Sequence, residues 1–283
     1  MNKFTLGLYQ VSNLDNKMLL KMQELQNECK NLVKINIFET LPLDIISSKQ
    51  QLQVNKLQVD FDTNTFEISI ENLSQLQILE EFEASIGFNI KIQASEQKIS
   101  CPPKMTIKME KIISSRIETI FEILDAFQNY ENVSILHLKS WMCKIPQGKP
   151  FMQLYSKLQH FQSIRDLIIP FSCEEDTIQS LMNLLQALKK LVHLSLENFI
   201  DEPEIDSVVN KLSQYAFGNM LNLRTLSFFV NSPIQMSNFF NCYQRPSPLT
   251  ITIIQANGFA LRTRFIYDRG QEGIMISKFD NNF

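Results

Sequence analysis

Apolar and polar positions alternate along this chain in a frame that keeps returning: apolar-x-x-apolar-x-apolar. Val133, Leu136 and Leu138 fill it in "VSILHL", and Ile164, Leu167 and Ile169 in "IRDLII". Leu191, Leu194 and Leu196 follow, and then Leu223, Leu226 and Phe228. Upstream it fits Leu32, Ile35 and Ile37; Val54, Leu57 and Val59; and Leu79, Phe82 and Ala84. Phe4 with Leu6, Met105 with Ile107, and the run from Leu249 are shorter copies. Side chains in a strand alternate between faces, so the last two apolar residues of each frame share one face and the residues between them share the other. Each copy predicts a short strand buried on one side.

The segments between the copies carry the helical period. Ile178, Leu181, Met182, Leu185 and Leu188 lie on one helical stripe, with Asp176 and Gln179 predicted to cap the start and Lys189 and Lys190 at the end facing the dipole. Ile113, Ile117, Ile120, Phe121, Leu124 and Phe127 form a second stripe. Phe151, Leu154, Tyr155 and Leu158 form a third, and Ile205, Val208, Val209 and Leu212 a fourth. Strand and helix are predicted to alternate from about residue 105 to 230. Middle positions of successive frames are 22 residues apart (Ile35 to Leu57) at the shortest and 32 (Leu194 to Leu226) at the longest. A unit of that size cannot bury its apolar side alone, but a stack of such units can.

With these frames the chain resembles a leucine-rich-repeat protein of the ribonuclease-inhibitor-like subgroup, and its degenerate repeats resemble those of divergent protist members. The resemblance implies an α/β solenoid: a curved parallel sheet with helices on the convex side and a C-terminal β-hairpin cap. It implies a single domain over 1–283, with shorter irregular repeats over 1–110, regular strand–helix repeats over 111–256 and the capping hairpin over 257–283. The family's frame continues to an Asn that ties one turn to the next. Asn231 fits that position, and Thr40, Asp62 and Ser172 substitute for it in part. Trp141 and Phe199 interrupt it, with Asn198 one residue out of frame, so the ladder is expected to be incomplete. The hairpin rests on its own pattern: Leu261, Thr263, Phe265 and Tyr267 alternate, then a glycine-bearing turn leads to Ile274 and Ile276. A hairpin there would cover an open strand edge.

Composition narrows the function classes. A hydrophobic fraction of 44% with 20% charged residues describes a chain that folds. A net charge of −3 argues against a general nucleic-acid or anionic-membrane binder. Seven glycines disfavour folds that need many tight turns or phosphate-cradling loops. Five cysteines, widely spread and without a CxxC pair, predict reduced thiols, and so a cytoplasmic or other reducing compartment. The first residues, "MNKFTLGLYQ", predict neither a signal peptide nor a clear presequence, and no run is long enough to span a bilayer.

No nucleophile elbow, P-loop, HExxH or kinase signature occurs, so catalysis, cofactors and a small-molecule substrate are not expected. His137 and His193 lack partners at metal-ligand spacing, and no metal is expected. In the resembled family the strand residues between the leucines line the concave face. That implies a protein-binding surface at His137, Lys139, Arg165, Asp166, His193, Glu197 and Phe229, extended upstream by Lys56, Gln58, Asp60, Glu81 and Glu83. Arg262 and Arg264 alternate along one strand, where they could meet an acidic partner or simply guard an edge. Phe239, Phe240 and Tyr243 could pack under the last repeat or form an exposed anchor. The expected role is a non-catalytic adaptor or structural subunit of a larger protein assembly. The alternative is a substrate-recognition or regulatory subunit of an enzyme complex such as a ubiquitin ligase.

Overall fold

A computed structural model describes residues 4–8, 32–37, 52–61, 66–69, 76–86, 90–93, 98–110, 117–141, 148–200, 202–231, 234, 249–257, 260–268 and 274–277. The architecture is α/β with parallel sheet, and the chain divides into two compact units, Met1–Val133 and Ser134–Phe283.

In the first unit, five strands pair in parallel in the order β1 (Phe4–Leu8), β2 (Leu32–Ile37), β3 (Leu52–Phe61), β5 (Leu76–Ile86) and β8 (Lys104–Glu110). The repeated frame sets the register. Leu6, Ile35, Leu57, Phe82 and Met105 fall in one row, and Ile37, Val59, Ala84 and Ile107 in the next. Leu57, Ala84, Met105 and Ile107 are fully buried. Between β3 and β8 the described connecting segments are extended: β4 (Phe66–Ser69) pairs in parallel with β6 (Ile90–Gln93). The turns here are short, and a four-residue strand covers the return path in fewer residues than a helix would, since a strand rises about twice as far per residue.

Further along, the return path is helical at α1 (Ile117–Asp125), with Ile120, Ile123 and Leu124 buried. Ile113 lies outside the described residues. Phe127 does not continue the helix as its spacing suggested. It belongs to β9 (Phe127–Gln128), which pairs with β7 (Ile99–Ser100), and its ring meets Phe82 edge-on at 5.0 Å. Asn129 then turns the chain through a left-handed conformation (φ 60°), which asparagine tolerates better than most residues, and its amide donates to Ser100 Oγ at 3.2 Å.

One frame is misplaced by the sequence pattern. Leu79 is 39% exposed, whereas Ile78 is buried and pairs with Val54. The register shifts between Val54 and Lys56, so β5 carries one extra residue before Phe82 and the apolar side chain slips back by one position.

In the second unit, β10 (Ile135–Trp141), β11 (Asp166–Pro170), β12 (His193–Asn198), β13 (Thr225–Val230) and β14 (Thr250–Asn257) run parallel. β15 (Ala260–Asp268) and β16 (Ile274–Ser277) then add on antiparallel. Leu136, Leu167, Leu194, Leu226 and Ile251 form one in-register row, each at most 1% exposed. Ile169, Leu196, Phe228 and Ile253 form the next, all fully buried. Phe265 and Tyr267 continue these rows in register with Ile253 and Ile251, which is the hairpin alternation read from the sequence.

Among the described residues three helices join these strands: α2 (Lys149–Leu158), α3 (Glu175–Ala187) and α4 (Ile205–Asn219). Each buries the stripe its spacing predicted, although Met182 is only half-buried and Leu184 takes the interior place beside Leu181 and Leu185. The predicted cap at Asp176 is displaced. Glu174 holds the N-cap position with extended backbone, and Asp176 sits in the first turn, where its charge still suits the helix dipole. Tyr155, 1% exposed, donates its hydroxyl to the Pro170 carbonyl at 3.0 Å and so ties α2 to the end of β11. Phe171 and Phe228 meet edge-on at 6.2 Å across the same interior.

Backbone bonds at the strand entrances link successive turns. Ser134 O accepts from the amides of Arg165 and Asp166, Arg165 O from Val192 and His193, Val192 O from Arg224 and Thr225, and Arg224 O from Thr250. Each strand entrance is thus bonded to the one before it at the same structural position.

Candidate interaction surface

Alternation along the strands leaves a second face in each unit, opposite the buried aliphatic rows. In the first unit this face carries a lattice of opposite charges. Lys56, Glu81 and Lys104 are register partners on β3, β5 and β8. Glu81 binds Lys56 at 3.2 Å and Lys104 at 2.8 Å, while Glu83 binds Lys56 at 2.7 Å and also Lys108. Burial by itself would raise the Glu83 pKa, but hydrogen bonds from Lys108 and Lys56, together with their charges, hold it at about 2. Glu81 is lowered in the same way: burial opposes the shift and the Lys104 and Lys56 contacts outweigh it. Burial would lower the Lys56 pKa, yet its hydrogen bonds to Glu83 and Glu81 raise it. Glu80 is exposed and accepts from Asn55 Nδ2 at 3.3 Å at the register irregularity. The three carboxylates are therefore consumed by ion pairs and a hydrogen bond.

The second unit presents a different face. Asp166, His193, Thr225 and Thr250 form its first row. His137, Ile168, Ser195, Ser227 and Thr252 form the second, and Pro170, Glu197, Phe229 and Ile254 the third. His137 is half-buried, and its Nε2 lies 3.4 Å from Asp166 Oδ1, close enough for charge pairing but outside hydrogen-bond geometry. His193 is exposed, and its Nδ1 is 2.7 Å from Thr225 Oγ1. Lys139 is half-buried on β10, and Phe229 is half-buried between Glu197 and Ile254 in register. Glu197 is more enclosed than its strand position suggested, at 7% exposure.

The predicted residues do not all gather in one place. His137, Asp166, His193, Glu197 and Phe229 share the face, whereas Arg165 precedes β11 and stands exposed at the strand entrance. Arg264 occupies the register position opposite Ile254 and Ser277, and Arg262 falls at the register shift between Gln255 and Ala256. Phe239, Phe240 and Tyr243 lie outside the described residues. Among the described residues no group of three or more His, Cys, Asp or Glu side chains is arranged to hold a metal ion. None of the described helices is long and apolar enough to cross a membrane.

Behind the strand ends, polar groups are buried in a network the frame placed one residue away. Asn198, 3% exposed, donates to Glu202 Oε2 at 3.0 Å and accepts from the Ile200 amide at 2.9 Å. Glu202 Oε2 also accepts from the Cys173 amide at 3.0 Å, joining neighbouring turns. Glu202, held by Asn198 one residue off the expected frame position, thus makes the tie to the neighbouring unit. Ser172, expected to substitute for an Asn, is 2% exposed and accepts from the Glu174 amide at 3.3 Å. Cys173 and Cys101 are free thiols. Burial and then Glu202 push the Cys173 pKa well up, and burial with the Glu131 charge pushes that of Cys101 up to about 12. Neither thiol is poised as a nucleophile at neutral pH.

The charge lattice could have been found in the sequence, since the frame that aligns Leu57, Phe82 and Met105 also aligns Lys56, Glu81 and Lys104.

No protein-family model matches the chain, and no curated protein matches it in sequence.

Proposed function

We propose that this chain is a non-catalytic protein-interaction module of the leucine-rich-repeat solenoid type, a structural or adaptor subunit of a larger assembly. In this reading the second unit's open sheet face is the docking surface, and β15 with β16 caps the parallel strands. Support for the repeat reading comes from the in-register aliphatic rows and from the carbonyl that each turn offers the next. The observation that carries the function is the make-up of the face: Ile168, Phe229 and Ile254 stand partly exposed among serines, threonines and histidines. Apolar anchors with a polar surround are the usual composition of a protein-binding patch. The free thiols of Cys101 and Cys173 support a reducing compartment.

The test is native co-purification of the full chain with crosslinking and mass spectrometry, comparing the wild type with Phe229→Asp and His193→Glu. A stoichiometric partner held by the wild type and released by both variants is expected. A chain that stays alone in native extracts, or a partner indifferent to both substitutions, refutes the reading.

A further inference from the structure

The second unit has a rim where its parallel strands begin and its helices end, and charge is distributed unevenly there. Segments 157–166, 187–193 and 219–225 contain Lys157, Arg165, Lys189, Lys190 and Arg224 against one carboxylate, Asp166. The opposite ends of the strands and helices carry Glu174, Glu175, Asp176, Glu202, Glu204 and Asp206. A chain of net charge −3 has therefore gathered cations on one edge.

The helix dipole accounts for part of this pattern. Lys189 and Lys190 follow the C-terminal end of α3, where positive charge is favoured. It does not account for Arg165 and Arg224, which sit at strand entrances and are both exposed. Their backbones are placed by the same inter-turn hydrogen bonds, Arg165 through Ser134 O and Arg224 through Val192 O. Among the described residues, no carboxylate pairs with the side chains of Arg165, Lys189 or Arg224. In the segment that leads into Arg224 stands Leu221, 56% exposed, the most exposed large apolar side chain described. Asn222 Nδ2 donates to Lys189 O at 2.8 Å and so locks the turn carrying Leu221 against the turn carrying Lys189.

We propose that this rim, through Arg165, Lys189, Arg224 and Leu221, docks an extended acidic polypeptide segment that carries an apolar side chain. Arg165 and Arg224 flank strands two places apart, about 10 Å at the usual strand spacing, which about three residues of extended chain span. A carboxylate at each end of that span meets a guanidinium, a geometry arginine favours over lysine. The apolar side chain of the segment then covers Leu221. A nucleic acid fits the site less well, because its five cations are few for phosphate contacts and no Phe, Tyr or Trp among the described rim residues is exposed for stacking. A membrane surface fits less well too, because one leucine is far short of an amphipathic face.

This inference deepens the interaction reading and rests on it, but it uses a different surface, so the two can fail separately. The experiment measures fluorescence anisotropy of a labelled glutamate-rich peptide with one central leucine, titrated with the full chain. Oligothymidylate and phosphatidylserine–phosphatidylcholine vesicles serve as the other probes. The peptide is expected to bind, with affinity falling about tenfold in R165E/R224E and about threefold in L221A. Raising salt from about 50 to about 300 mM should weaken binding, as exposed charge pairing requires. Phe229→Asp should leave peptide binding unchanged while it disturbs the sheet face. Circular dichroism and melting curves matching the wild type are expected, since the substituted rim residues are exposed. No binding of the peptide overturns the proposal, as does binding that is indifferent to R165E/R224E or lost in Phe229→Asp. Stronger binding of the oligonucleotide or the vesicles than of the peptide overturns it as well.

Discussion

Replacing Glu83 by glutamine removes the charge at the centre of the first unit's lattice while keeping the shape of the side chain. In the folded chain Glu83 has a pKa of about 2 against an ordinary 4.5, a gap worth roughly 3 kcal/mol if none of it were screened. Its partners Lys56 and Lys108 are 25% and 38% exposed, so about half that figure, ~1.5 kcal/mol, is the reasonable expectation. The sign follows from the direction of the shift. A depressed carboxyl pKa stabilises the fold above pH 4.5, and the contribution is lost as pH falls from there through about 2. Urea unfolding of the wild type and E83Q, compared from neutral pH down to about pH 3, measures the difference directly. Carboxylates common to both proteins cancel in that comparison. The wild type should be more stable by ~1.5 kcal/mol at neutral pH, with the gap closing steadily below pH 4.5. A gap that is the same at both ends of the range would refute the assignment of this stabilisation to the Glu83 charge.

Leu194→Ala opens a cavity in the middle of a fully buried row and should cost about 2–5 kcal/mol, read from the urea midpoint; a loss under about 1 kcal/mol would mean the row is not tightly packed. Gly148 sits at φ 84° before α2, and an added Cβ would come within 3.0 Å of Glu174 Oε2, so Gly148→Ala should lower stability by about 1 kcal/mol in the same assay. Cys101 is buried with its pKa raised to about 12, so iodoacetamide at about pH 8, followed by peptide mass spectrometry, should label it only when denaturant is added.

The aliphatic rows were legible because buried strands repeat their chemistry at every turn. Leu167, Leu194 and Leu226 needed only a frame to be placed, and the structure puts them side by side. Three kinds of feature escaped. The extra residue in β5 exchanged Ile78 for Leu79, and no side-chain pattern distinguishes a one-residue irregularity from a shifted frame. β4 and β6 are four residues each, at the lower limit of length at which alternation marks a strand, and their alternation was passed over. Asn198 was passed over for lying one residue off the expected position, although a buried amide goes wherever its hydrogen bonds can be completed, here to Glu202 and the Ile200 amide. The strand face was foreseen in its residue types but not in its pairings. Glu81 and Glu83, expected on an interaction face, are instead paired with lysines that the register sets beside both. Arg165 looked like part of the face until its amide was found hooked to Ser134, outside the strand.

The carbonyl steps at the strand entrances bear on how such a chain can change length. Because Arg165, Val192 and Arg224 hold equivalent rungs, excising the stretch from one rung to the next rejoins matching ends, and duplicating it adds a rung without disturbing those on either side. A gene coding for this unit can therefore grow or shrink by whole rungs under slippage or unequal crossing-over. An insertion at a rung or inside a strand, unlike one in a connecting segment, breaks the sequence of handholds.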